Sequence, residues 1–464
     1  MISLVFLYFF LPLFMVIYLV SPGAFKGKLL SLTGLGLIAC FEPLGLIPVA
    51  VCILTAYFSG ILINNLSIRN GGSGTKGVLA ASVIINAAVF LIFHRTVYDG
   101  SDILTMIGTQ PIHKNAVFVG MAVIPMNGIS YCVDVYRKKY KCEHKFLSLA
   151  EYLLFFPVFF AGPIVGYTEF QNGMKEHHVD FTGCAAGIRL LMLGMFSKLV
   201  ISNTMFELWE HVRDIPVRKL PALTGWIGIM AFGFFVYFEV RAFSDIARGL
   251  GQMFGFNLPK NFHEPYRSVS FMNFLRRFNR SLYRWCHSYI YRSIRSHSSG
   301  VMGRFMAFVL SVAAGTLWYG TSMRSLVFAA VLLLMLSLEM LMAKPLRKLP
   351  KPVRTLLFIT MLMIILPFMA FPHTNDALAY LMAMFGGNRI AVDNVSEYLV
   401  GTYLLFFVVC ILISGGVFSY FFRKKVFMNE YLHTIVQPVW VIALLIICTA
   451  FLVSGDNRLF TYMF

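Results

Sequence analysis

Apolar stretches long enough to cross a lipid bilayer recur along this chain from its first residue to near its last. Met1–Val20 carries no charge, and Leu44–Asn65, Tyr398–Phe422 and Tyr431–Val453 are each at least as long. A transmembrane helix needs about 20 consecutive, mostly apolar residues. Only 13% of the residues are charged, whereas a soluble domain has about 25%. The sequence therefore predicts an all-α polytopic membrane protein with about eleven transmembrane or re-entrant helices.

Two of the apolar stretches are short or interrupted, and a third ends at a polar interval. Leu29–Cys40 has too few residues to cross a bilayer, so we expect a re-entrant or tilted helix. Tyr152–Tyr167 contains Pro157 and a Gly-Pro pair, which we expect to kink it. Pro221–Phe238 is predicted to end where the longest polar interval of the chain, Glu239–Arg304, begins.

The charge of the chain is strongly basic, with a formal net charge of +18. The basic residues are concentrated in short segments between apolar stretches, such as Tyr136–Lys145 and Lys344–Arg354. This distribution is typical of cytoplasmic loops that face anionic membrane lipid. It argues against nucleic acid as the partner.

The eight cysteines indicate neither a metal site nor a disulfide framework. They are scattered singly, and Cys52, Cys410 and Cys448 lie within apolar stretches, where cysteine acts as a small hydrophobic residue. Met1–Val20 lacks a basic start and a small-residue cleavage site, so we expect a retained first span rather than a signal peptide.

A basic, aromatic segment interrupts the apolar pattern in the second half of the chain. Between Lys260 and Arg295 there are eight lysines and arginines and one acidic residue, Glu264. If Asn273–Tyr289 is helical, its aromatic and arginine residues form separate stripes, which is typical of a helix lying among lipid headgroups. The same positive field would attract an anionic acyl donor, and the residues leave both interpretations open.

Polar residues also occur inside the next apolar stretch. Thr316, Tyr319 and Thr321 lie beside Trp318. Such residues line a cavity in some membrane proteins, and in most they form hydrogen bonds within the helix bundle.

Several ordered segments of the chain resemble the membrane-bound O-acyltransferase (MBOAT) family, in particular its bacterial branch of alginate O-acetyltransferase-like proteins. The resemblance runs along nearly the whole chain and leads directly into the Arg276-Arg277 pair. It is carried by Phe10–Phe14, Ile129–Arg137, Phe155–Ile164, Phe243–Phe262 and Asp376–Gly386.

The resemblance implies a single membrane domain over residues 1–464. The helices of residues 1–256 and of residues 325–464 would flank the segment of residues 257–324, which holds the basic interval and the active-site helix. Together the helices would form a ring around a central tunnel. It also implies transfer of an acyl group, here acetyl, from a cytoplasmic donor to a hydroxyl of a cell-envelope polysaccharide. The donor would be acyl-CoA or a carrier-bound acyl group, with no bound cofactor. The location would be the bacterial plasma membrane, in contact with lipid and with a periplasmic or extracellular acyltransferase or polysaccharide-modifying partner.

The catalytic pair that the resemblance implies is altered in this sequence. The family has a histidine in a Leu-Trp-His-Gly motif, and Leu317–Gly320 places Tyr319 at that position. The family's polar partner follows an Arg-Arg element, which here corresponds to Asn279. A phenol with a pKa of about 10 is a poor base at neutral pH, but it can donate a hydrogen bond or a proton.

Other residues of the central segment are candidates for the site. His287 is a candidate to replace the missing histidine, and His263 and His297 are further candidates in loops. Asp245 is expected to anchor arginines. The predicted donor-binding, acceptor-binding or tunnel residues are Arg276, Arg277, Arg280, Arg284, Trp285, Trp318 and Asp245.

Three functions follow from these observations. The first is a divergent but active O-acyltransferase, and the second is a catalytically degenerate member that acts as a scaffold, binding or export component. The third is a transporter, which the family resemblance disfavours. The missing histidine favours the second, while Asn279, Trp318 and the Arg-Arg pair favour the first.

Overall fold

The computed structural model describes residues 2–41, 43–69, 72–98, 123–159, 162–175, 179–297, 300–417 and 430–454. Within these ranges the chain is helical and contains no strand. The helices are α1 Leu11–Val20, α2 Gly23–Phe41, α3 Leu46–Arg69, α4 Thr75–Tyr98, α5 Val123–Tyr136, α6 Phe146–Leu153, α7 Tyr167–Lys175, α8 Phe181–Phe196, α9 Asn203–Arg213, α10 Ala222–Met253, α11 Phe271–Arg277, α12 Arg280–Trp285, α13 Arg292–His297, α14 Val301–Leu317, α15 Met323–Leu341, α16 Ala343–Arg347, α17 Lys351–Ile365, α18 Pro367–Ala370, α19 Thr374–Met384, α20 Asn394–Ser414 and α21 Glu430–Val453.

The number of membrane helices agrees with the sequence prediction. Among the described residues, eight helices are long and apolar enough to cross a membrane. Three shorter apolar helices accompany them, at Phe6–Val20, Phe146–Val158 and Val301–Leu317. The prediction of an all-α polytopic membrane protein is confirmed, whereas the ring, the tunnel and the single domain stay predictions.

Two of the interrupted stretches differ from expectation. Leu29–Cys40 belongs to the longer helix Gly23–Phe41, which begins before two lysines that the apolar pattern had excluded. Tyr152–Tyr167 is not one kinked helix, because α6 ends at Leu153 and the next α-helix begins only at Tyr167. A short 3-10 turn at Phe156–Val158 and a cis Gly162-Pro163 peptide separate the two.

Helix α10 is the central helix of the bundle. It runs over 32 residues, and most of them are buried. The glycines of α8 and α10 let the two helices approach closely, since a Cβ added to Gly187 would lie 2.7 Å from the carbonyl oxygen of Gly249. The predicted end at Phe238 is wrong, because α10 continues through Glu239, Arg241 and Asp245.

A buried ion pair explains why α10 continues past Glu239. The ammonium of Lys198 lies 2.7 Å from the Glu239 carboxylate, and neither side chain is appreciably exposed. The Ser202 hydroxyl donates a second bond to the same carboxylate at 2.5 Å. Lys198 and Ser202 both lie in a π-helical turn, Ser197–Ser202, that follows α8. A charge at membrane depth is tolerated when the bundle supplies its partner.

Two hydrophobic clusters divide the core. One is built mainly from the helices before α9, and the other from α9, α10 and the helices after α14. Tyr319 packs against both clusters. It lies in the turn between α14 and α15, so this turn is at the boundary between the two halves of the bundle.

The Lys198–Glu239 pair gives a testable stability pattern. Lys198→Met leaves a buried carboxylate without its cation, so we expect it to destabilise the protein by about 3–5 kcal/mol. The double variant Lys198→Met/Glu239→Gln removes both charges and should recover most of that loss. The check is the apparent melting temperature of purified protein in detergent. A double variant less stable than Lys198→Met would contradict this account.

Candidate active site

Asn279 and Tyr319 are joined by a hydrogen bond, although 40 residues separate them in the chain. The amide nitrogen of Asn279 donates to the phenol oxygen of Tyr319 over 3.0 Å. Asn279 is buried and Tyr319 is partly buried. The structure thus brings together the two residues that sequence comparison placed at the catalytic positions.

A backbone reversal at Asn279 makes this contact. Asn279 has φ 49° and ψ 64°, in the left-handed region, and it separates α11 from α12. Asparagine adopts this conformation more readily than most residues other than glycine. Asn273–Tyr289 is therefore not a single helix, and the stripes that a single helix would form do not extend across the break. The left-handed conformation of Asn279 breaks the helix and turns the side chain of Asn279 toward the bundle.

Aromatic side chains surround the pair. The ring of Phe278 lies 6.2 Å from that of Tyr319 and 5.1 Å from that of Phe262. Tyr237 of α10 lies 6.5 Å from Phe278, and its hydroxyl accepts a hydrogen bond from Arg241 at 2.9 Å. Aromatic rings therefore line one side of the pair.

The surroundings of Tyr319 determine its chemical form. It lies beyond the end of α14, and burial raises the pKa of its phenol above the usual value. The hydrogen bond from Asn279 opposes this rise but does not cancel it. Tyr319 is therefore a neutral hydroxyl at physiological pH, able to donate a hydrogen bond and unsuited to removing a proton.

His287 makes contacts other than the expected ones. Its ring is nearly parallel to those of Tyr283 and Tyr291, at centroid distances of 6.1 and 5.2 Å. Desolvation and then the positive charges of Arg292 and Arg276 lower the pKa of His287. The imidazole is thus neutral at pH 7, and its catalytic role stays a prediction.

Of the two other histidine candidates, the structure describes the side chain of His263 alone. His263 is exposed, and its backbone nitrogen donates to the carbonyl of Arg277 at 3.0 Å. Desolvation and then Lys260 lower the pKa of His263. The side chain of His297 lies outside the described part of the structure.

The predicted arginines of the basic interval are mostly accessible to solvent. Arg276, Arg280 and Arg284 are exposed, and Arg277 is partly buried. Arg276 donates to the hydroxyl of Tyr283 at 3.3 Å. These side chains are available to an anionic ligand.

The two tryptophans and Asp245 make contacts within the protein. Trp285 donates its indole N–H to the carbonyl of Met126 at 3.1 Å, and Trp318 stacks on Phe90 at 6.4 Å. Asp245 forms ion pairs with Arg241 and Arg248 of its own helix, at 3.4 and 3.0 Å. The expected anchoring of arginines of the basic interval by Asp245 stays a prediction.

The hydroxyls beside Tyr319 differ in their partners. Thr316 donates to backbone carbonyls of its own helix at 2.8 and 3.2 Å. The hydroxyl of Thr321 is buried and has no hydrogen-bond partner within the part of the chain that the structure describes. Thr316 therefore agrees with the interpretation in which such hydroxyls form hydrogen bonds within the helix bundle.

Contacts between two basic segments went unnoticed in the sequence. Arg137, at the end of α5, donates to the carbonyl of Ser288 at 2.9 Å and to the hydroxyl of Ser293 at 2.7 Å. The hydroxyl of Tyr289 donates to the buried Asp134 carboxylate at 2.6 Å. The loop after α5 and the basic interval therefore lie on the same side of the bundle.

Asn261 and Ser281 are further residues of the site that sequence reasoning missed. Both are buried, and the amide oxygen of Asn261 accepts a hydrogen bond from the Ser281 N–H at 2.8 Å. The available signal was that Asn261 belongs to the Phe243–Phe262 segment, which carries the family resemblance.

Comparison of the sequence with known proteins shows what this chain is similar to. A family model described as MBOAT, membrane-bound O-acyltransferase family, matches residues 138–375, which is more than half of the chain. The chain is 26% identical to the probable alginate O-acetylase AlgI of Pseudomonas aeruginosa over 445 residues, covering 93% of this chain and 83% of the relative.

Relatives with other substrates are more distant. The chain is 23% identical to the peptidoglycan O-acetyltransferase of Helicobacter pylori, over 68% of this chain and 58% of the relative. It is 24% identical to the teichoic acid D-alanyltransferase of Bacillus subtilis, over 39% of this chain and 47% of the relative. The matched family model includes Asn279 and Tyr319.

The left-handed backbone of Asn279 can be tested separately from its amide. Asn279→Gly removes the amide and tolerates the conformation, whereas Asn279→Ala removes the amide and strains the backbone. We expect Asn279→Ala to be less stable than Asn279→Gly by about 1 kcal/mol. Comparison of their apparent melting temperatures checks this, and an alanine variant as stable as the glycine variant would contradict the conformation.

Proposed function

Because the chain belongs to the membrane-bound O-acyltransferase family, in its alginate O-acetyltransferase-like branch, we propose that it transfers an acyl group onto a polysaccharide hydroxyl. The acyl group is acetyl, the donor comes from the cytoplasm, and the acceptor is a cell-envelope polysaccharide. The observation that carries the proposal is the hydrogen bond between Asn279 and Tyr319, at the two positions of the family's catalytic pair.

Tyr319 supports this reaction as a hydrogen-bond donor. The acceptor oxygen attacks the acyl carbonyl, a C–O bond forms, and negative charge develops on the carbonyl oxygen. The thioester C–S bond then breaks, and the proton of the acceptor hydroxyl passes to the leaving sulfur. No net proton is gained or lost. A neutral, partly buried phenol stabilises the developing oxyanion, and the Asn279 amide strengthens the phenol as a donor.

The basic face supports a cytoplasmic donor. The loop after α5 and the Lys260–Arg295 interval share one side through Arg137, and loops rich in lysine and arginine favour the cytoplasm. Exposed Arg276, Arg280 and Arg284 suit the phosphates of acyl-CoA or of a carrier-bound acyl group.

The acceptor and the partner are proposed from the relatives. Their names refer to alginate, peptidoglycan and teichoic acid, which are all polymers of the bacterial cell surface. We place the protein in the bacterial plasma membrane, in contact with lipid. A periplasmic or extracellular polysaccharide-modifying protein would act with it.

A second function is a degenerate acyltransferase that serves as a scaffold, binding or export component. The observation that favours it is the neutral, partly buried phenol of Tyr319 in the place of a histidine. Such a protein would keep the fold without transferring an acyl group.

Substitutions of the pair distinguish the two functions. Tyr319→Phe removes the phenol hydroxyl, and we expect acetyl transfer to fall by about 100-fold, as when an oxyanion donor is lost. Asn279→Ala should also reduce transfer. The measurement is the alkali-labile acetate of envelope polysaccharide in a deletion strain complemented with each variant.

The control for this experiment is a tyrosine outside the site. Tyr380→Phe removes a buried hydroxyl that donates to the carbonyl of Gly225, so transfer should stay at the wild-type level. If the wild-type protein restores acetylation and Tyr319→Phe restores it equally, Tyr319 has no part in the reaction. If the wild-type protein is needed for export but adds no acetate, the scaffold function is correct.

The exposed arginines should act on donor binding. We expect Arg276→Gln, Arg280→Gln and Arg284→Gln to raise the KM for the donor several-fold and to leave kcat within about twofold, because a surface cation attracts phosphate without contacting the reacting carbonyl. Arg218→Gln is the matched control. Arg218 is exposed and lies just before the first residue of α10, whereas the three arginines follow the last residue of α10 in the chain. A KM that does not change in any of the three variants would contradict this role.

A further inference from the structure

Asn261 lies next to the left-handed turn that carries Asn279. It is 2% exposed, and its backbone and side chain both bind the residues that follow the turn. We propose that Asn261 is a positioning residue for acyl transfer, which fixes the Asn279 amide against Tyr319. This inference rests on the proposed function.

Hydrogen bonds from residues 261 and 263 hold the turn on both sides. The carbonyl of Asn261 accepts from the backbone N–H of Arg280 at 2.8 Å, and its amide oxygen accepts from that of Ser281 at 2.8 Å. Before the turn, the backbone N–H of His263 donates to the carbonyl of Arg277 at 3.0 Å. Hydrogen bonds therefore fix the backbone on both sides of Asn279, and Asn279 keeps its left-handed conformation between them.

Ser281 links this backbone support to the Asn279 side chain. Its hydroxyl accepts a hydrogen bond from the N–H of Ile164 at 3.0 Å. The same hydroxyl donates to the amide oxygen of Asn279 at 3.4 Å. With its oxygen toward Ser281, the Asn279 amide presents its nitrogen to Tyr319. Asn261 holds the backbone of Ser281 and so sets the direction of the Asn279 donor.

The amide oxygen of Asn261 is the side-chain atom that holds the backbone of Ser281. Its amide nitrogen is buried and has no hydrogen-bond partner within the described residues. An unpaired buried donor stabilises nothing, so the contribution of the side chain comes from its oxygen. Asn261→Ala removes this acceptor together with the unpaired donor.

A stability experiment tests the link to Tyr319 without requiring activity. Melting temperatures are measured for Asn261→Ala, Tyr319→Phe and the double variant. We expect the double variant to lose clearly less than the sum of the single losses, because both changes disrupt the same chain of hydrogen bonds. Asn388→Ala is the matched control, since that amide donates to the carbonyls of Val217 and Leu220 elsewhere, and its loss should add to that of Tyr319→Phe.

An activity experiment tests the positioning role. We expect Asn261→Ala to lower kcat by about 10- to 100-fold with little change in the KM for the donor, because misplacement by about 1 Å is enough for such a loss. In an Asn279→Ala background, Asn261→Ala should cause little further loss. Ser281→Ala provides the same test if Asn261→Ala does not fold.

The outcomes separate this inference from the proposed function. If the wild-type protein transfers no acetyl group, the proposed function fails, and the stability experiment still decides whether Asn261 acts through Tyr319. If the Asn261→Ala and Tyr319→Phe losses add in full, or if Asn261→Ala leaves kcat unchanged in an active protein, Asn261 is not a positioning residue.

Discussion

The exclusion of water from the interior of the helix bundle is the constraint on which this structure depends. A polar group buried there needs a partner from the protein, since none comes from solvent. The Lys198–Glu239 ion pair lets α10 carry a carboxylate past the point where the apolar pattern ends. The Asp134–Tyr289 bond holds the basic interval against α5. The contact between Asn279 and Tyr319 is a third case, and it is the one at the proposed reaction site.

The proposed site draws its parts from several regions of the chain. Asn279 comes from the break between two short helices, Tyr319 from the turn between α14 and α15, and Asn261 from the segment after α10. Tyr319 packs against both hydrophobic clusters, so the site lies where the halves of the bundle meet. Small-molecule sites commonly occur at such boundaries. The exposed arginines next to the break then connect the buried pair to the basic face.

The tyrosine at the histidine position changes the chemistry that the site can perform. Imidazole, with a pKa of about 6.5, removes a proton near neutral pH, whereas a buried phenol does not. The structure gives this phenol a donor in Asn279, which favours a role in stabilising negative charge. In the proposed transfer from a thioester, the leaving sulfur accepts the proton of the attacking hydroxyl, and Tyr319 acts as a hydrogen-bond donor instead of a base.

The sequence by itself determined the class of the protein, the approximate number of membrane helices and the family, and it predicted Asn279 and Tyr319 as the central pair. These features depend on apolar length and on ordered motifs, both of which are local in the chain. Only the tertiary structure decided that the Asn273–Tyr289 segment breaks at Asn279, that α10 continues past Glu239, that His287 stacks between two tyrosines, and that Asn261 supports the turn. The physical reason is that each depends on a partner for a buried or aromatic group, and most of these partners are distant in sequence.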